Sequence, residues 1–250
     1  MQVSLIKQAA DAIRKASRVI AFTGAGISVE SGIPPYRGPG GLWEKHDARK
    51  LDISYFRRNP GDAWQVISEI FYSHFSEAEP NKAHLALAQM EAYGNLQGVI
   101  TQNIDNLHQK AGSLRVIEFH GNSQRLVCPR CAYRTEVTRQ VLASIPPKCP
   151  ECDDILKPDF VFFGEPIPIK AYQSASQETR LADIWLIIGT TGEVFPAAAL
   201  PFEAKQNGKT IIEINIEPSN FTHQITDYFL QGSAAVVTHD LWRMIQSNDA

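Results

Sequence analysis

The sequence predicts an α/β fold built on a parallel, doubly wound sheet with a small inserted module. Short apolar segments alternate with segments of helical periodicity along most of the chain, which is the pattern of βαβ units. Several apolar segments end in glycine-rich or polar loops, and two pairs of cysteines interrupt the alternation. With 250 residues, 44% of them hydrophobic, the chain can bury one sizeable core, or a large core and a small one.

The first part of the chain is predicted to be mostly helical. Apolar residues recur at helical spacing over residues 3–17, which predicts an amphipathic helix. A short apolar strand is predicted at 19–22. Further helices are predicted at 52–58 and 62–75, because a Pro-Gly pair at 60–61 separates two stretches of helical periodicity.

The middle of the chain supplies a helix and two strands. A helix is predicted at 82–93, where Gly94 ends the periodic pattern. Short apolar runs predict strands at 98–101 and 116–119. Both strands run directly into polar residues, so each is expected to present side chains at its carboxyl end.

After residue 158 the core pattern resumes. Buried strands are predicted at 183–189 and 210–216, with a helix at 196–206 between them. A last short strand is predicted at 234–238, before a closing helix. Strands that alternate with helices in this way favour a parallel sheet covered on both faces.

Composition excludes several classes of protein. Net charge is −3 and no run of Lys or Arg forms a basic stripe, so we expect no nucleic-acid binding. The first residues lack a basic segment followed by an apolar one, and the longest apolar run, 184–188, is too short to span a bilayer. We therefore expect a soluble, cytoplasmic protein whose cysteines bind metal rather than form disulfides. No exposed apolar helix stands out, which favours a monomer.

A glycine-rich turn follows the first predicted strand. Residues 24–28 read GAGIS, and Gly24 and Gly26 lack the Cβ atoms that would block a ligand. A strand that turns through Gly-x-Gly into a helix directs N–H groups at an anion, so the turn predicts a pyrophosphate site. Val29 stands where the dinucleotide fingerprint has its third glycine, so the turn alone is equally consistent with an ordinary βα connection. The Gly- and Pro-rich residues 31–38 have the composition of a lid.

Polar or glycine-rich loops follow several predicted strands. In a parallel sheet, ligands bind beyond the carboxyl ends of the strands, where these loops meet. Asn215 or Glu217, at the end of a late strand, is suited to bind ribose hydroxyls. The convergence of the loops therefore strengthens the prediction of a nucleotide site. The loops are 23–28, 102–105, 189–191 and 215–217.

Cys128, Cys131, Cys149 and Cys152 form two C-x₂-C pairs. The 132–148 segment between the pairs has the length found in zinc ribbons. Four thiolates close a tetrahedron around one ion and leave no open position, so the sequence predicts a structural zinc site. A thiol redox motif is the alternative. Since the cysteines lie between core strands, the module is an insertion.

A polar loop and a histidine carry the predicted chemistry. Gln102 and Asn103 follow a buried strand, and their amides suit ribose hydroxyls or a carboxamide because they both donate and accept hydrogen bonds. His120 ends a strand, where its ring can face a cleft and act as general base. A histidine at such a position is also often structural, and that alternative stays open. His108 is interpreted as a packing or capping residue.

The motifs together resemble those of one family. With the cysteine pairs, they are GAGIS (24–28), SGIPPYRG (31–38), TQNIDNLH (101–108), HG (120–121), FGE (163–165), GTT (189–191) and IN-x-E (214–217). In this order they resemble the sirtuins of the bacterial and archaeal type, which are NAD-dependent protein lysine deacylases. The resemblance extends over almost all of the chain.

The resemblance implies a single catalytic domain over residues 1–250, with NAD and an acyl-lysine peptide meeting in a cleft between two parts. The large, Rossmann-type part would comprise approximately 1–34, 82–122 and 158–250. The small part would be formed by insertions at approximately 35–81 and 123–157, the second of which is the zinc ribbon.

The resemblance also implies roles for individual residues. The implied catalytic residues are His120 and Asn103, and the implied zinc ligands are the four cysteines. The implied residues of the acyl channel and the peptide-binding edge are Val161, Phe163, Gly164, Glu165 and Val194. The implied NAD-binding residues are Gly24, Ala25, Gly26, Ser28, Tyr36, Arg37, Gln102, Asn103, Ile104, Asp105, Gly189, Thr190, Thr191, Asn215, Glu217 and Ala234.

In the implied chemistry, the acyl oxygen attacks the ribose C1′ as nicotinamide leaves. His120 then takes a proton from the ribose hydroxyls, so that the 2′ oxygen can attack the resulting imidate. Water completes the release of lysine and an acyl-ADP-ribose. This chemistry depends on the positioning of reacting atoms and on a base of near-neutral pKa, with zinc in a structural role only.

Two departures from the family pattern lie near the implied site. Sirtuins often have Asp-Phe or Thr-Phe before the lid arginine, where this chain has Pro35 and Tyr36. A tyrosine can still cover the nicotinamide, but its hydroxyl alters the pocket. Sirtuins also often have Arg-Pro before the FGE segment, where this chain has Lys157 and Pro158.

A third departure bears on the acyl group. Sirtuins that prefer succinyl- or malonyl-lysine carry Tyr-x-x-Arg in the helix near Trp64, whereas this chain has VISEIF at 66–71. An acyl carboxylate would find no cation there, and Glu69 would repel it if it faced the pocket. We therefore expect acetyl or longer apolar acyl groups.

Two other functions use the same predicted site. NAD-dependent ADP-ribosyl transfer to a protein would share the departure of nicotinamide but use a different nucleophile. A non-enzymatic NAD-sensing module would need only the binding residues, and the complete set of Gln102, Asn103, Asp105 and His120 argues against it.

Overall fold

The computed structural model describes residues 2–38, 40–72 and 78–247. Its described strands form two sheets, one of six strands and one of three. The strands are β1 (Val19–Thr23), β2 (Val99–Thr101), β3 (Val116–Glu118), β4 (Gly121–Val127), β5 (Arg134–Glu136), β6 (Lys157–Phe160), β7 (Ile184–Ile188), β8 (Thr210–Asn215) and β9 (Tyr228–Gln231).

The larger sheet is parallel throughout. Its strand order is β3-β2-β1-β7-β8-β9, and every neighbouring pair runs in the same direction. The order extends one way from β1 through β2 and the other way through β7, so the carboxyl ends of these strands border a crevice where loops diverge. The smaller sheet is antiparallel, in the order β5-β4-β6. This is the predicted α/β architecture.

Helices flank and extend the sheets. Short 3₁₀ helices lie at Ala25–Ser31, Ala48–Leu51 and Val141–Ala143, and a π-helix at Ser68–Tyr72. No described helix is long and apolar enough to cross a membrane. The α-helices are α1 (Gln2–Lys15), α2 (Leu42–Lys45), α3 (Ile53–Arg58), α4 (Pro60–Ile67), α5 (Lys82–Ala92), α6 (Leu107–Lys110), α7 (Ile169–Leu181), α8 (Ala199–Gln206) and α9 (Ala234–Gln246).

The parallel sheet is buried on both faces. All five residues of β1 are buried, because successive side chains enter opposite cores. Ala21 joins the core under α1, α5 and α9, whereas Ile20 and Phe22 join the core under α7 and α8. A strand with two buried faces reads as a continuous apolar run, and this explains why the central strands could be predicted.

A third core lies away from the parallel sheet. Phe56, Trp64 and Phe71 from one inserted segment pack with Cys128 and Leu156 from the other. The indole Nε1–H of Trp64 donates to the Leu156 carbonyl oxygen at 2.8 Å. The two insertions therefore form one apolar unit that includes the buried members of the cysteine cluster.

Most predicted elements are confirmed within a few residues, but the strand at 234–238 is wrong. These residues are the first turns of α9, and the last strand of the sheet is β9. The side chain of Ser233 caps the helix by accepting from the Val236 N–H. The run of β-branched residues suggested a strand, but residues spaced as on a helix face, from Ala234 to Ile245, are buried against the sheet.

The helix predicted at 62–75 is also corrected. It begins two positions earlier, at Pro60. Proline is suited to the first helical position, because an N–H there would have no partner within the helix. The α-helix ends at Ile67 and continues as a π-helix to Tyr72. The last predicted residues, 73–75, lie outside the described part of the chain.

A buried carboxylate ties α7 to the residues that precede the amino ends of β1 and β3. The Glu178 side chain has no exposed surface and accepts hydrogen bonds from Arg18 at 2.9 and 2.8 Å, and it also pairs with Arg115. Burial raises the pKa of Glu178, but the hydrogen bonds from Arg18 and Arg115 outweigh it and leave the pKa below 4.5. The carboxylate therefore stays charged in the folded protein at neutral pH.

Replacing this carboxylate is expected to destabilise the fold. Glu178→Gln should lower the free energy of unfolding at neutral pH by about 2 kcal/mol, because it removes charge-assisted hydrogen bonds. A lowered pKa contributes stability above the unfolded value and loses it as the pH falls, so the difference should shrink below pH 4.5. Chemical denaturation at several pH values measures it, with the exposed Glu203→Gln as matched control. Equal effects of the two substitutions at pH 7 would contradict the assignment.

Candidate active site

A cavity of about 890 Å³ lies at the carboxyl ends of the central strands. Gly24, Gln102, Gly189 and Ile216 line it, and they follow β1, β2, β7 and β8 respectively. The predicted NAD-binding and substrate-binding residues all line this cavity except Ser28 and Asp105. Those two line a small adjoining cavity of about 20 Å³ that shares Tyr36 and Asn103 with the first.

The glycine turn after β1 packs directly against the loop after β7. The Gly26 N–H donates to the Gly189 carbonyl oxygen at 2.8 Å. A Cβ at Gly26 would lie 2.7 Å from the Gly189 Cα, and one at Gly24 would lie 2.7 Å from the Thr190 Cβ. Both distances are shorter than normal carbon contacts, so the close packing of the two loops requires glycine at both positions. The turn continues as a 3₁₀ helix, not as the regular helix of the dinucleotide fingerprint.

Asn103 is held rigidly by the same turn. Its side-chain Nδ2 donates to the Gly24 carbonyl oxygen and to the Ser28 Oγ, both at 3.1 Å. The Ser28 hydroxyl in turn donates to the Asp105 Oδ2 at 2.7 Å. Burial raises the pKa of Asp105, although hydrogen bonds from the Leu107 N–H and Ser28 oppose the shift. The loop after β2 thus brings three predicted site residues together in one hydrogen-bonded group.

His120 is oriented by a backbone carbonyl. Its Nδ1 lies 3.1 Å from the Gln102 carbonyl oxygen, and since a carbonyl only accepts, the Nδ1 carries a proton. The Nε2 is then the basic nitrogen. Burial lowers the pKa of His120 below 6.5, partly offset by the hydrogen bond to Gln102. His120 lines the large cavity, as the predicted role of a general base requires.

His108 lies in the interior, as its predicted packing role requires. It is buried, its Nε2 lies 2.9 Å from the Thr23 Oγ1, and its ring packs edge-on against His84 at 4.9 Å. Burial lowers the pKa of His84 to about 4 and that of His108 well below 6.5. Both rings are therefore neutral and support the turn from beneath.

The segment after β6 forms the second wall of the cavity. The Val161 N–H donates to the His120 carbonyl oxygen at 2.8 Å, which places this segment beside the histidine. Phe163 pairs with the inserted part, donating to Leu51 at 2.9 Å and accepting from Ile53 at 3.0 Å. Among the described residues, the Val161 carbonyl and both backbone groups of Gly164 have no hydrogen-bond partner. These free groups could pair with an added strand.

The predicted lid contacts both walls of the cavity. The ring of Tyr36 packs on Trp43 with centroids 5.4 Å apart, and Trp43 packs on Phe163 at 6.2 Å. Burial, with a smaller contribution from the nearby Asp105 carboxylate, raises the pKa of the Tyr36 hydroxyl, which stays neutral. The Arg37 Nε lies 3.9 Å from the Glu193 carboxylate at the cavity mouth. The lid thus contacts the inserted segment through Tyr36 and the loop after β7 through Arg37.

The inner wall contains apolar residues that sequence reasoning missed. Glu69, which would repel an acyl carboxylate if it faced the pocket, does not line the cavity. Its side chain is 65% exposed, and its carboxylate lies 4.0 Å from the His46 Nδ1. Single apolar residues in irregular segments carry no periodicity, so only the packing of the two insertions could reveal them. The missed residues of this wall are Trp43, Leu51, Phe71, Phe160 and Phe162.

The cysteine cluster could hold one metal ion. All four Sγ atoms lie within 4.8 Å of one another, and the closest pairs are Cys128–Cys152 and Cys131–Cys149, both at 3.5 Å. Tetrahedral zinc with Zn–S bonds of roughly 2.3 Å requires S–S separations of roughly 3.8 Å. The donor set therefore fits such a site, and no disulfide links these free cysteines.

Comparisons with known proteins agree with this geometry. An NAD-dependent protein deacylase of Pyrococcus furiosus is 45% identical over 235 residues, covering 90% of this chain and 92% of the relative. A mutant Sir2 homologue solved with ADP-ribose superposes with a TM-score of 0.90 at 38% identity, covering 96% of each chain. A Sir2 structure with a p53 peptide and NAD⁺ superposes with a TM-score of 0.87 at 32% identity, covering 95% of this chain and 97% of the other.

The sequence model of the Sir2 family matches residues 24–196, which include the glycine turn, the polar loop, His120 and all four cysteines. Together with the identity and coverage of the relatives, this match shows that the chain belongs to the Sir2 family.

Proposed function

We propose that this protein is an NAD-dependent protein lysine deacylase that transfers the acyl group to ADP-ribose and releases nicotinamide. The observation that carries the proposal is the position of His120. Its ring contacts the Gln102 carbonyl in the loop after β2, its backbone carbonyl accepts from Val161 in the segment after β6, and it lines the same cavity as the predicted nucleotide loops. A base at this junction can serve a reaction between a nucleotide and an acyl-lysine peptide. The similarity to NAD-dependent protein deacylases of Pyrococcus and Thermococcus species supports the same activity.

The residues at the carboxyl edge of the sheet fit NAD. Asn103 and Gln102 offer amides, Thr190 and Thr191 offer hydroxyls, and Glu217 offers a carboxylate beyond the end of β8. This donor set suits two riboses and a carboxamide, and the turn with its tight glycines leaves room for a pyrophosphate. When bound, NAD would supply the nicotinamide leaving group and the ribose that accepts the acyl group.

His120 supplies the base. The Gln102 carbonyl keeps the proton on Nδ1, so Nε2 is free to take a proton from a ribose hydroxyl in the cavity. The low pKa that burial imposes keeps this nitrogen unprotonated at neutral pH. Asn103, pinned by Gly24 and Ser28, is the second polar group at this position and orients the same ribose.

Two edges of the cavity are suited to bind an acyl-lysine peptide. The free backbone groups of Val161 and Gly164 offer hydrogen bonds to an added strand. Phe163, Glu165 and Val194 also line the cavity. We assign the substrate-binding role to these residues because they border the cavity and lie beside or within the segment that carries the free backbone groups, except Val194, which lies in the loop after β7.

The inner wall favours apolar acyl groups. Arg37 is the only Lys or Arg side chain among the described residues of the cavity, and it lies at the mouth beside Glu193. The inner wall instead consists of aliphatic and aromatic side chains such as Leu51 and Phe71. A carboxylate buried there would remain unpaired, which costs several kcal/mol. Acetyl and longer aliphatic acyl chains are therefore the proposed substrates.

Zinc is the proposed metal of the cysteine cluster. Four thiolates at tetrahedral spacing leave no ligand position for substrate, so the ion would have a structural role. Cys128 and Cys149 belong to the third core, so metal binding would stabilise the insertion that carries one wall of the cavity.

We further propose a division into a large part, at approximately 1–34, 82–122 and 158–250, and a small part, at approximately 35–81 and 123–157. The separate cores support this division. Phe160 and Phe162 cross it, because they follow residue 158 but pack in the third core. The small part includes positions outside the described residues.

Incubation with NAD and an acetyl-lysine peptide should yield nicotinamide and deacetylated peptide in equal amounts. His120→Ala should reduce turnover by about 10²- to 10⁴-fold because the general base is lost, while the thermal unfolding temperature stays near that of the wild type. Since burial lowers the histidine pKa, the acidic limb of the wild-type rate profile should lie below pH 6.5. Mass spectrometry of the peptide and an assay for nicotinamide measure both products.

The exposed His223→Ala is the matched control and should leave turnover unchanged. Nicotinamide release without deacylated peptide would favour ADP-ribosyl transfer instead. Binding of NAD without release of nicotinamide would favour a sensing module.

An acyl-chain series on one peptide tests the apolar wall. Acetyl, butyryl and decanoyl groups should all be removed, and succinyl should be removed at least about tenfold more slowly because its carboxylate lacks a cation. Phe71→Arg should reduce the difference between acetyl and succinyl turnover, because it supplies a cation. Phe71→Leu is the control for the lost side-chain volume. Equal turnover of succinyl- and acetyl-peptide by the wild type would refute the assignment.

Removal of metal tests the cysteine cluster. The purified protein should contain one zinc ion per chain, and chelation at elevated temperature should lower its unfolding temperature together with its activity. Cys131→Ser and Cys152→Ser should each reduce the zinc content. A protein without metal whose cysteines are paired as disulfides would overturn the zinc assignment.

A further inference from the structure

A buried lysine lies behind the peptide-binding edge, at the position where the sequence departs from Arg-Pro. The Lys157 side chain is only 7% exposed. Its Nζ donates to the carbonyl oxygens of Pro158 at 2.9 Å and Phe160 at 2.6 Å. It also lies 4.2 Å from the centroid of the Phe162 ring. An ammonium group held by this many partners is fixed in position.

The same ammonium group holds the carboxylate of Glu165. The Lys157 Nζ lies 3.0 Å from the Glu165 Oε2, and that oxygen also accepts from the Phe162 N–H at 2.8 Å. The Glu165 N–H donates to the Phe162 carbonyl at 3.0 Å, which closes a tight turn around Phe163 and Gly164. One oxygen of the carboxylate is therefore fixed by two partners, although Glu165 belongs to the cavity lining.

The turn that this pair closes carries the free backbone groups of the cavity edge. Gly164 lies inside the turn with a φ of +84°, a conformation that favours glycine. Without the Glu165 carboxylate, the Phe162 N–H would lose its acceptor, and without Lys157 the carboxylate would lack a counter-ion in a site where its side chain is only 21% exposed. A half-broken buried pair is costly, so loss of either partner should release the turn.

We propose that Lys157 is a positioning residue that, through Glu165, holds the 161–165 edge in the shape that pairs with the peptide backbone. Lys157 does not line the cavity, and its contacts are with Glu165, the carbonyls of β6 and the ring of Phe162. Its loss should therefore weaken peptide binding and leave NAD binding intact.

The proposal rests on the deacylase function, and the two fail differently. Wild-type turnover of an acetyl-lysine peptide tests the function. The ratio of the variant KM to the wild-type KM, for peptide and for NAD, tests the role of Lys157. Lys157→Met should raise the KM for peptide about tenfold and change the KM for NAD by less than about twofold. Lys157→Arg should restore the peptide KM to within about threefold of the wild type, because it keeps the charge.

The exposed Lys7→Met on α1 is the matched control and should behave as the wild type. Glu165→Gln provides a second route if Lys157→Met does not fold, and it should raise the peptide KM in the same selective way. The double variant Lys157→Met/Glu165→Gln should bind peptide better than the two single effects predict, because no unpaired charge remains. A peptide KM unchanged in both single variants, or equal increases for peptide and NAD, would overturn the proposal.

A pH series separates positioning from general stabilisation. Burial lowers the pKa of Lys157 below 10.5, while Glu165 and Asp159, the carboxylates that face it, oppose the shift. As the pH rises through this lowered value the lysine loses its proton, so the wild-type peptide KM should rise at a pH below the ordinary lysine range. Lys157→Arg should not show this rise, because arginine stays charged. Parallel KM profiles for the wild type and Lys157→Arg would contradict the role of the lysine.

Discussion

One backbone contact determines the geometry on which the site depends. The hydrogen bond from the Gly26 N–H to the Gly189 carbonyl joins the ends of β1 and β7, the two strands at the centre of the sheet. Gly26 and Gly189 have no Cβ, so the two loops can approach closely, and their backbone lines the cavity. Asn103 then attaches to Gly24, and Gln102 reaches Thr190, so the loop after β2 is positioned by the same contact.

Buried charges fix the loops that the sheet leaves irregular. At the amino ends of β1 and β3, Glu178 holds two arginines. At the carboxyl end of the sheet, Glu213 accepts hydrogen bonds from the hydroxyls of Ser219, Thr222 and Thr226 in the loop after β8. On the opposite wall, Lys157 and Glu165 hold the turn beside His120. In each case a charge that would be costly to bury alone has several partners. Glu213 and the Lys157–Glu165 pair thus hold loop segments near the cavity in defined positions.

The sequence predicted the parallel sheet well because its signal is local. The residues of β1 and β7 are buried on both faces, so each strand is an uninterrupted apolar run. The antiparallel sheet was not predicted, because β4 and β5 contain mainly polar residues and derive their pairing from the cysteine module. The misassigned residues 234–238 show the same limit, since a β-branched run was overridden by burial along a helix face.

The sequence by itself determined which chemical groups are present: the Gly-x-Gly turn, the amides at Gln102 and Asn103, the histidine, and two cysteine pairs at a spacing that suits one ion. Each of these is a short motif whose geometry is set by neighbouring residues. Only the tertiary structure decided the tautomer of His120, the apolar inner wall with Phe71, and the pairing of Lys157 with Glu165. These features join segments that are distant in the chain, and which side chains from such segments meet is decided only when the chain has packed.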